Sequence, residues 1–412
     1  MTWHIVNWIA GGVLALAWFS RIVEAAFGMP RIADIALPEW DRQPETADGE
    51  PRVTIIVPAR NEEEHIRETL ARLLALEYSN YEIIAVNDRS TDCTGQIMDE
   101  VACGADTLVR VSAEPALQTE ANRNVRPTRL KVLHISELPS GWLGKTHAMW
   151  TATQHATGDW LLFTDADVLF KPDSLRRAVA YAVTEKADHV VLFPRMIMKG
   201  PGERMMIAFF QALFVFGHRP WKVADPEARD HMGVGAFNMV RRSVYEAVGT
   251  YRALRMEVLD DMKLGKVVKN AGFAQRNVFG EDLISIHWAK GAFGVVKNLT
   301  KNFFAVLSFQ WWRTLVSVAG LGLLNLGPFI GVWLEHGWVR VPYGIALGSI
   351  FVIYCGMSAR SAVPPHYFFL HPISTCLFMY TLLRSMFVTI RDDGIVWRGT
   401  KYALEDLRNG MV

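Results

Sequence analysis

The stretch Trp160-Leu-Leu-Phe-Thr-Asp-Ala-Asp167 constrains this chain more than any other. Four apolar residues without alternation read as a strand buried on both faces, as in a parallel sheet covered by helices. Two carboxylates, Asp165 and Asp167, follow where that strand ends. On an extended backbone residues i and i+2 point the same way, so both carboxylates face one point and favour a cation between them. An oxygen-ligated divalent ion, Mg²⁺ or Mn²⁺, suits such a pair and usually also takes diphosphate oxygens. Taken alone, the triplet reads equally as a solvated turn after a strand.

The same pattern recurs along the chain. Val53 to Val57 is a buried-type strand that Pro58 is expected to end, and Asn61 is placed to cap a helix running to about Leu76. Tyr81 to Asp88 is a second strand, with a helix from Thr91-Asp92 to about Cys103. Residues 104 to 130 read as polar and irregular, and Lys131 to Ile135 as a short strand. Pro139 to Trp150 is a turn entering a helix. Lys145 stands at that entry, where a cation can meet phosphate, and His147 is a ligand, a base or a structural residue. Pro172-Asp173-Ser174 turns into another helix, and His189 to Pro194 is a further strand. Alternating strands and helices predict an α/β fold with a mostly parallel sheet. Ligands of such sheets bind at the carboxyl ends of the strands, so Pro58–Glu62, Asn87–Asp92 and Asp165–Asp167 are expected along one crevice. Neither a dinucleotide G-x-G-x-x-G nor a Walker loop is present. Gly233 to Met239 is a glycine-lightened loop that permits close backbone approach to a ligand. Glu257, Asp260 and Asp261 fall at a helix start, where they either complement the helix dipole or supply a general base.

Hydropathy divides the chain unevenly. Residues 1–29 form an N-terminal membrane anchor, with no basic segment before it and no cleavage site after it. Residues 30–52 are a polar linker, and 53–290 the soluble-type domain. Ile207 to Phe216, within it, is either core or an in-plane membrane element. Residues 291–313 mix Lys297, Lys301 and Arg313 with Phe and Trp, as an interfacial helix does. About three membrane spans fill 314–390, and 391–412 is a polar, basic tail. Arg21 and Arg31 after the anchor place the central domain in the cytoplasm of a multi-pass inner-membrane protein. Three further spans would then carry the basic tail outside, against the same rule, unless one segment is re-entrant or 291–313 dips into the bilayer. A net charge of +1 gives no electrostatic case for nucleic acid. Four cysteines (Cys93, Cys103, Cys355, Cys376), none in a C-x-x-C pair, argue against a disulfide framework and a zinc site.

Taken in order, P-A-R-N-E-E (58–63), V-N-D-R-S-T-D (86–92), G-K-T-H-A (144–148), T-D-A-D (164–167), G-V-G-A-F (233–237) and L-D-D (259–261) resemble family 2 glycosyltransferases of the GT-A fold over roughly 50 to 290. The anchor and spans, with G-W-L-G-K (141–145) and W-R-G-T-K-Y (397–402), resemble the hopanoid- and carotenoid-associated branch acting on lipids. This resemblance implies a nucleotide-sugar donor, with uridine as its base, a divalent metal and a lipid acceptor. Asp88 would contact the base, in a pocket shaped by Pro58, Ala59, Arg60 and Glu62. Lys145 would lie near uridine or phosphate. Asp165 and Asp167 would be the D-x-D pair, Asp167 holding the metal. Asp261 would be the base, beside Asp260, and Gly235, Phe237, Gln310 and Arg313 would form the acceptor side. Asn87 stands where an Asp is common, Asp260 where a Glu is, and Trp150 where an Asn is. Gln310-Trp-Trp-Arg313 lacks the Trp that completes the Q-x-x-R-W of processive synthases and ceramide glucosyltransferases.

The chemistry stands without the family. An inverting transfer needs a base for the acceptor hydroxyl, which Asp261 supplies, and neutralisation of the leaving diphosphate, which a divalent ion supplies. Two alternatives remain at this stage: transfer to a polyprenyl phosphate, which needs no deprotonation, and a non-catalytic membrane scaffold.

Overall fold

The computed structural model describes residues 2–44, 46, 49–111, 129–280, 282–359, 361 and 363–411. In chain order the elements begin with α1 (Thr2–Gly28), β1 (Val53–Ala59), α2 (Ile66–Leu74), β2 (Tyr81–Asp88), α3 (Thr94–Val111) and β3 (Leu130–Ile135). Next come α4 (Gly144–Thr153), β4 (Trp160–Phe163), β5 (Val168–Phe170), α5 (Ser174–Thr184), β6 (His189–Leu192), β7 (Arg195–Met196) and α6 (Pro201–Gly217). The middle closes with β8 (Asn238–Arg241), α7 (Arg242–Ala247), α8 (Thr250–Ala253), α9 (Asp260–Asn270), β9 (Gln275–Val278) and β10 (Ile284–Ile286). The C-terminal part holds α10 (Gly291–Val306), α11 (Trp311–Leu334), α12 (Arg340–Ser358), α13 (His371–Arg391), β11 (Gly394–Trp397), β12 (Thr400–Ala403) and α14 (Leu404–Asn409).

These elements form two compact units. One comprises Ala33–Arg195 and Ala224–Ile286, with Gly410–Val412; the other comprises Met1–Ile32, Met196–Val223 and His287–Asn409.

The first unit is built on a seven-stranded sheet in the order β3-β2-β1-β4-β8-β6-β9. Four neighbouring pairs are parallel and two, both involving β8, are antiparallel. The mostly parallel α/β expectation therefore holds. The central strands β1, β4 and β6 are buried almost throughout, as their continuous apolar runs require. Pro58 does not end β1, which continues to Ala59. The Ile56 carbonyl accepts from Thr164 N at 3.1 Å, so even-numbered residues of β1 face β4. Two residues on, β4 has stopped, and no neighbour asks Pro58 for the N–H it lacks. Helix α3 runs to Val111, well past Cys103; the rest of the segment read as irregular lies outside the described residues, apart from Arg129 and β3's first residue. One face of the sheet packs Ile56, Ile84, Leu161 and Phe163 against Ala148, Met149 and Ala152 of α4 and Leu264 and Val268 of α9. Both helices that carry candidate site residues are thereby seated on the same face.

The second unit is helical. Among the described residues, four helices are long and apolar enough to cross a membrane: Trp3–Arg31, Trp311–Leu334, Gly337–Ser358 and Pro365–Arg391. Helix α6 belongs to this unit's core. Ala208 and Ala212 pack with Trp18 and Tyr354, and Met206 and Phe209 with Val295 and Phe378. Helix α11 sets the direction against which the others run. Asn7 of α1 donates to Glu335 at α11's end, and Trp18 Nε1 to the Leu324 carbonyl at 2.9 Å further back, so α1 is antiparallel to α11. Gly331 of α11 packs against the Tyr343 ring at the start of α12. At its other end α12 places the Tyr354 hydroxyl 3.1 Å from His371 Nδ1, the first residue of α13. His371 Nε2 reaches Asn325 Oδ1, near the middle of α11, at 3.0 Å. Helix α13 therefore starts where α12 finishes and continues in the same direction. Its far end meets α10, where Ser385 Oγ accepts the Phe304 N–H at 2.9 Å. The tail lies there too: Lys301 Nζ sits 4.5 Å over the Trp397 ring, and Arg408 donates to the Phe309 carbonyl at 3.0 Å. Helices α12 and α13 thus both run antiparallel to α11, one after the other.

Candidate active site

The ends of β2, β1 and β4 are adjacent in the sheet, which brings the three polar strand ends side by side. The loops after β1 and β2 are laced together. Asn61 Oδ1 accepts from Thr91 N at 2.8 Å, Asn61 N donates to Ser90 Oγ at 3.0 Å, and Glu62 N to Thr94 Oγ1 at 2.7 Å. Asn61 and Arg89 adopt the left-handed region at φ 54° and 53°. Such a backbone costs energy in a residue with a side chain and is held only where its surroundings fix it. In this conformation Arg89 folds back on its own neighbour. Its Nε lies 2.7 Å from Asp88 Oδ1 and its Nη2 3.1 Å from Oδ2, while Arg60 Nη1 stands 3.9 Å from Oδ2. Asp88 is 3% exposed. A Cβ on Gly144 would penetrate Asp88 Oδ2 and lie 2.7 Å from Arg89 Nη2, so only glycine lets α4 start this close.

Next to Gly144 is Lys145, on the same helical stripe as the buried Met149 and Ala152. A lysine in the first turn of a helix opposes the dipole and needs carboxylates in front of it. It has them: Asp165 Oδ1 at 2.8 Å and Asp260 Oδ2 at 3.4 Å. Asp260 is buried because it continues the core stripe of Leu264 and Val268 at four-residue intervals. Asp261 accepts the Met262 N–H at 2.7 Å. Burial disfavours the Lys145 charge, but Asp165, Asp260 and Asp261 outweigh it and hold its pKa above the ordinary value. Burial also raises Asp260, to about 7, against the pull of Lys145 and with a push from Asp261 and Asp165. Asp261 is raised by burial as well, again against Lys145.

The loop before β8 threads between these groups. Asp165 N donates to the Gly235 carbonyl at 3.0 Å and Thr164 Oγ1 to that of Ala236 at 2.8 Å. A Cβ on Gly235 would lie 2.6 Å from Asp165 Oδ2, and one on Gly233 would enter the Asp261 backbone. Glycine at both positions therefore lets the loop lie against the two carboxylate-bearing segments. Asp165 and Asp167 are both half-buried, with buried Ala166 between them and its carbonyl held by Thr69 Oγ1 at 2.8 Å. They stand on the turn between β4 and β5. Among the described residues no group of three or more His, Cys, Asp or Glu converges to hold a metal by itself. Two carboxylates are an oxygen-only, incomplete donor set. That chemistry fits Mg²⁺ or Mn²⁺, whose remaining positions a diphosphate and water fill, and does not fit zinc.

The geometry thus gathers Lys145, Asp165, Asp260, Asp261 and Gly235 into one cluster. Asp88, Arg60 and the Pro58–Glu62 turn form a second, which Gly144 joins to the first. Phe237 is a correction: its ring is fully buried 6.1 Å from Phe170, supporting the loop from beneath and presenting nothing to an acceptor. Gln310 and Arg313 lie in the helical unit, at the N-terminus of α11, with Arg313 Nη1 on Ser308 Oγ at 3.2 Å. His147 is structural in its packing, buried between Trp142 at 5.4 Å and Trp150 at 6.2 Å. Burial lowers its pKa, although Asp88 pulls the other way. Sequence reasoning passed over Arg89, whose role depends on a left-handed backbone that no pattern announces.

The comparisons with known proteins agree with this architecture. The Glycosyl transferase family 2 profile matches residues 54–259, half of the chain. Two curated relatives, both named 4,4'-diaponeurosporenoate glycosyltransferase, come from Staphylococcus aureus strains. The one from strain MRSA252 is 21% identical over 374 residues, covering 85% of this chain and 88% of the relative. That from strain N315 is 21% identical over 414 residues, covering 94% and 99%. Among solved structures, a mannosyltransferase from Pyrobaculum calidifontis in complex with GDP-Man and Mn²⁺ aligns at a TM-score of 0.50 and 19% identity, covering 94% of this chain and 99% of that one. At that identity the likeness speaks for the GT-A fold alone. With its strand-end carboxylates, its D-x-D turn and this profile match, the chain belongs to glycosyltransferase family 2.

Proposed function

We propose that the protein is a membrane-bound inverting glycosyltransferase that moves a single sugar from a UDP-sugar to the hydroxyl of a lipid. The observation that carries this reading is the cluster in which Lys145 bridges Asp165 and Asp260 beside Asp261. In this reading the Pro58–Glu62 turn and Asp88 seat the nucleoside. Asp261 takes the proton of the acceptor hydroxyl as that oxygen attacks the anomeric carbon from the face opposite the leaving diphosphate. Its raised pKa suits a base working near neutral pH. Asp260 holds Lys145, whose ammonium stands where negative charge develops on the leaving group. A divalent ion carried by Asp167, with Asp165 beside it, supplies Lewis-acid neutralisation of the diphosphate when bound. Inversion turns an α-linked donor into a β-linked product. A lipid acceptor is supported by the four membrane-length helices and by the carotenoid-acid relatives, although their identity is low. Gly235 lies on the acceptor side, and Gln310 and Arg313 are kept as acceptor-side residues.

The same reading places the protein in the inner membrane. Lys301 of α10 lies over Trp397, the neighbour of Arg398 in the tail, and this basic end of the helical unit would be the cytoplasmic one by the positive-inside rule. The catalytic domain, joined to α1 and α10, is then cytoplasmic.

The test is release of UDP by detergent-purified protein supplied with Mn²⁺ and a panel of UDP- and GDP-sugars, with and without membrane lipid. Lipid-dependent release that is lost in both Asp167→Ala and Asp261→Asn is the expected result. Release that survives Asp261→Asn would overturn the hydroxyl acceptor in favour of a phosphate. Folded protein that neither turns over nor binds any nucleotide would overturn the enzyme.

A further inference from the structure

We infer that Arg89 selects the base of the donor, admitting uracil and rejecting guanine, by occupying the Asp88 carboxylate from one side. The inference rests on the reading above, that Asp88 meets the nucleobase, and adds the residue that decides which base it accepts.

A carboxylate offers about four lone-pair directions, two on each oxygen. The Arg89 guanidinium takes one on each, Nε on Oδ1 at 2.7 Å and Nη2 on Oδ2 at 3.1 Å. This is the parallel two-bond geometry that uses the pair of directions facing outward together. A base with two adjacent N–H donors needs the same pair. Guanine presents such an edge, with N1–H beside its exocyclic amino group, and in binding Asp88 that way it would have to evict Arg89. Uracil presents a single N–H, at N3, between two carbonyls. One remaining direction on either Asp88 oxygen satisfies it.

Three further observations say that the fork is built to stay. Arg89 sits at φ 53°, a strained backbone for a long side chain, and its N–H is tied to the Ile135 carbonyl at 3.2 Å. Asp88 is 3% exposed, so little of its carboxylate is open beyond the fork. Gly144 lies alongside the fork, where even a methyl group would collide with both Asp88 Oδ2 and Arg89 Nη2. The carboxylate cannot turn away from its partner without meeting α4.

Equilibrium binding of UDP and of GDP, each with Mn²⁺, to full-length detergent-solubilised protein tests this. Lysine keeps the charge but cannot fork, so Arg89→Lys separates the fork from simple charge compensation. The wild-type protein is expected to bind UDP at least about tenfold tighter than GDP, the effect of one N–H left unpaired in a closed site. Both Arg89→Lys and Arg89→Ala are expected to narrow that ratio, by a gain in GDP binding. A ratio unchanged in both variants, or UDP and GDP weakened alike, would overturn the selector while leaving the nucleotide site standing. Wild-type protein that binds GDP as well as UDP would also overturn it. Binding of neither nucleotide by folded protein would instead remove the reading on which the inference rests.

Discussion

Replacing Gly235 by alanine tests the site through a single methyl group and no change of charge. Its Cβ would lie 2.6 Å from Asp165 Oδ2 and 3.3 Å from Asp165 Cγ, where ordinary contact begins at 3.4 Å. The backbone cannot retreat, because the Gly235 carbonyl already holds Asp165 N and that of Ala236 holds Thr164 Oγ1. The Asp165 carboxylate must therefore turn, and in turning it leaves Lys145. Asp165 is a third exposed, so water takes up part of the loss and the fold suffers little. A misplaced charge-assisted hydrogen bond is worth about 1.5–3 kcal/mol, which at the transition state is a loss of roughly 10–100-fold in rate. The assay is UDP release with Mn²⁺ and lipid, with melting followed by tryptophan fluorescence on the same preparation. Turnover is expected to fall within that range while the melting temperature stays close to wild type. An alanine variant as active as wild type would refute the argument, since the methyl group would then have room that this geometry denies it.

Gly233→Ala should behave in the opposite way: its Cβ would enter the Asp261 backbone rather than a movable carboxylate. Overpacking of about 1–3 kcal/mol should then appear as a melting temperature lower by several degrees. For pH, turnover should rise through a limb above the ordinary carboxylate value of 3.8, because burial holds Asp261 raised and the base must be ionised. Asp260, raised to about 7, binds its proton more tightly folded than unfolded; its contribution to stability is therefore greatest in acid and is lost as pH climbs from 3.8 to about 7, which denaturation across that range checks. A single cysteine at Arg398, in a background without the native four, should react with an impermeant maleimide in inverted membrane vesicles and stay unlabelled in intact cells.

Much of the site is legible from local spacing. A continuous apolar run that stops at a polar pair marks a strand end in a covered sheet, and this located Asp88, Asp165 and Asp167. Four-residue spacing along α9 puts Asp260 on the same stripe as Leu264 and Val268, which explains its burial without any partner being known. What escapes is whatever depends on a neighbour distant in sequence. Pro58 is tolerated in β1 only because β4 has already ended beside it. Asn238 and Met239 of β8 read as the end of a loop, and become an antiparallel strand because β4 and β6 leave a gap between them. Phe237 looks like a ligand contact in a glycine loop, yet alternation across β8's approach turns it into the core against Phe170. Arg89 carries no signal at all, since its fork follows from a backbone angle.

The membrane part shows the same division, and there the packing bears on a contradiction inside the sequence. Counting apolar stretches gives three C-terminal spans and an outside tail, whereas the charges of Arg391, Arg398 and Lys401 ask for a cytoplasmic one. Both rules are satisfied together if α12 and α13 share one return path across the membrane. His371, the first residue of α13, bonds to Asn325 in the middle of α11 and to Tyr354 near the end of α12. Polar groups at that depth need partners, and this three-residue chain supplies them where α12 gives way to α13. Helices α12 and α13 follow one another in the same direction, and Val363, Tyr367 and Phe368 between them are buried in the helical core. The tail lies beside α10, where Lys301 sits over Trp397, and a cytoplasmic location of that end would satisfy the charge rule.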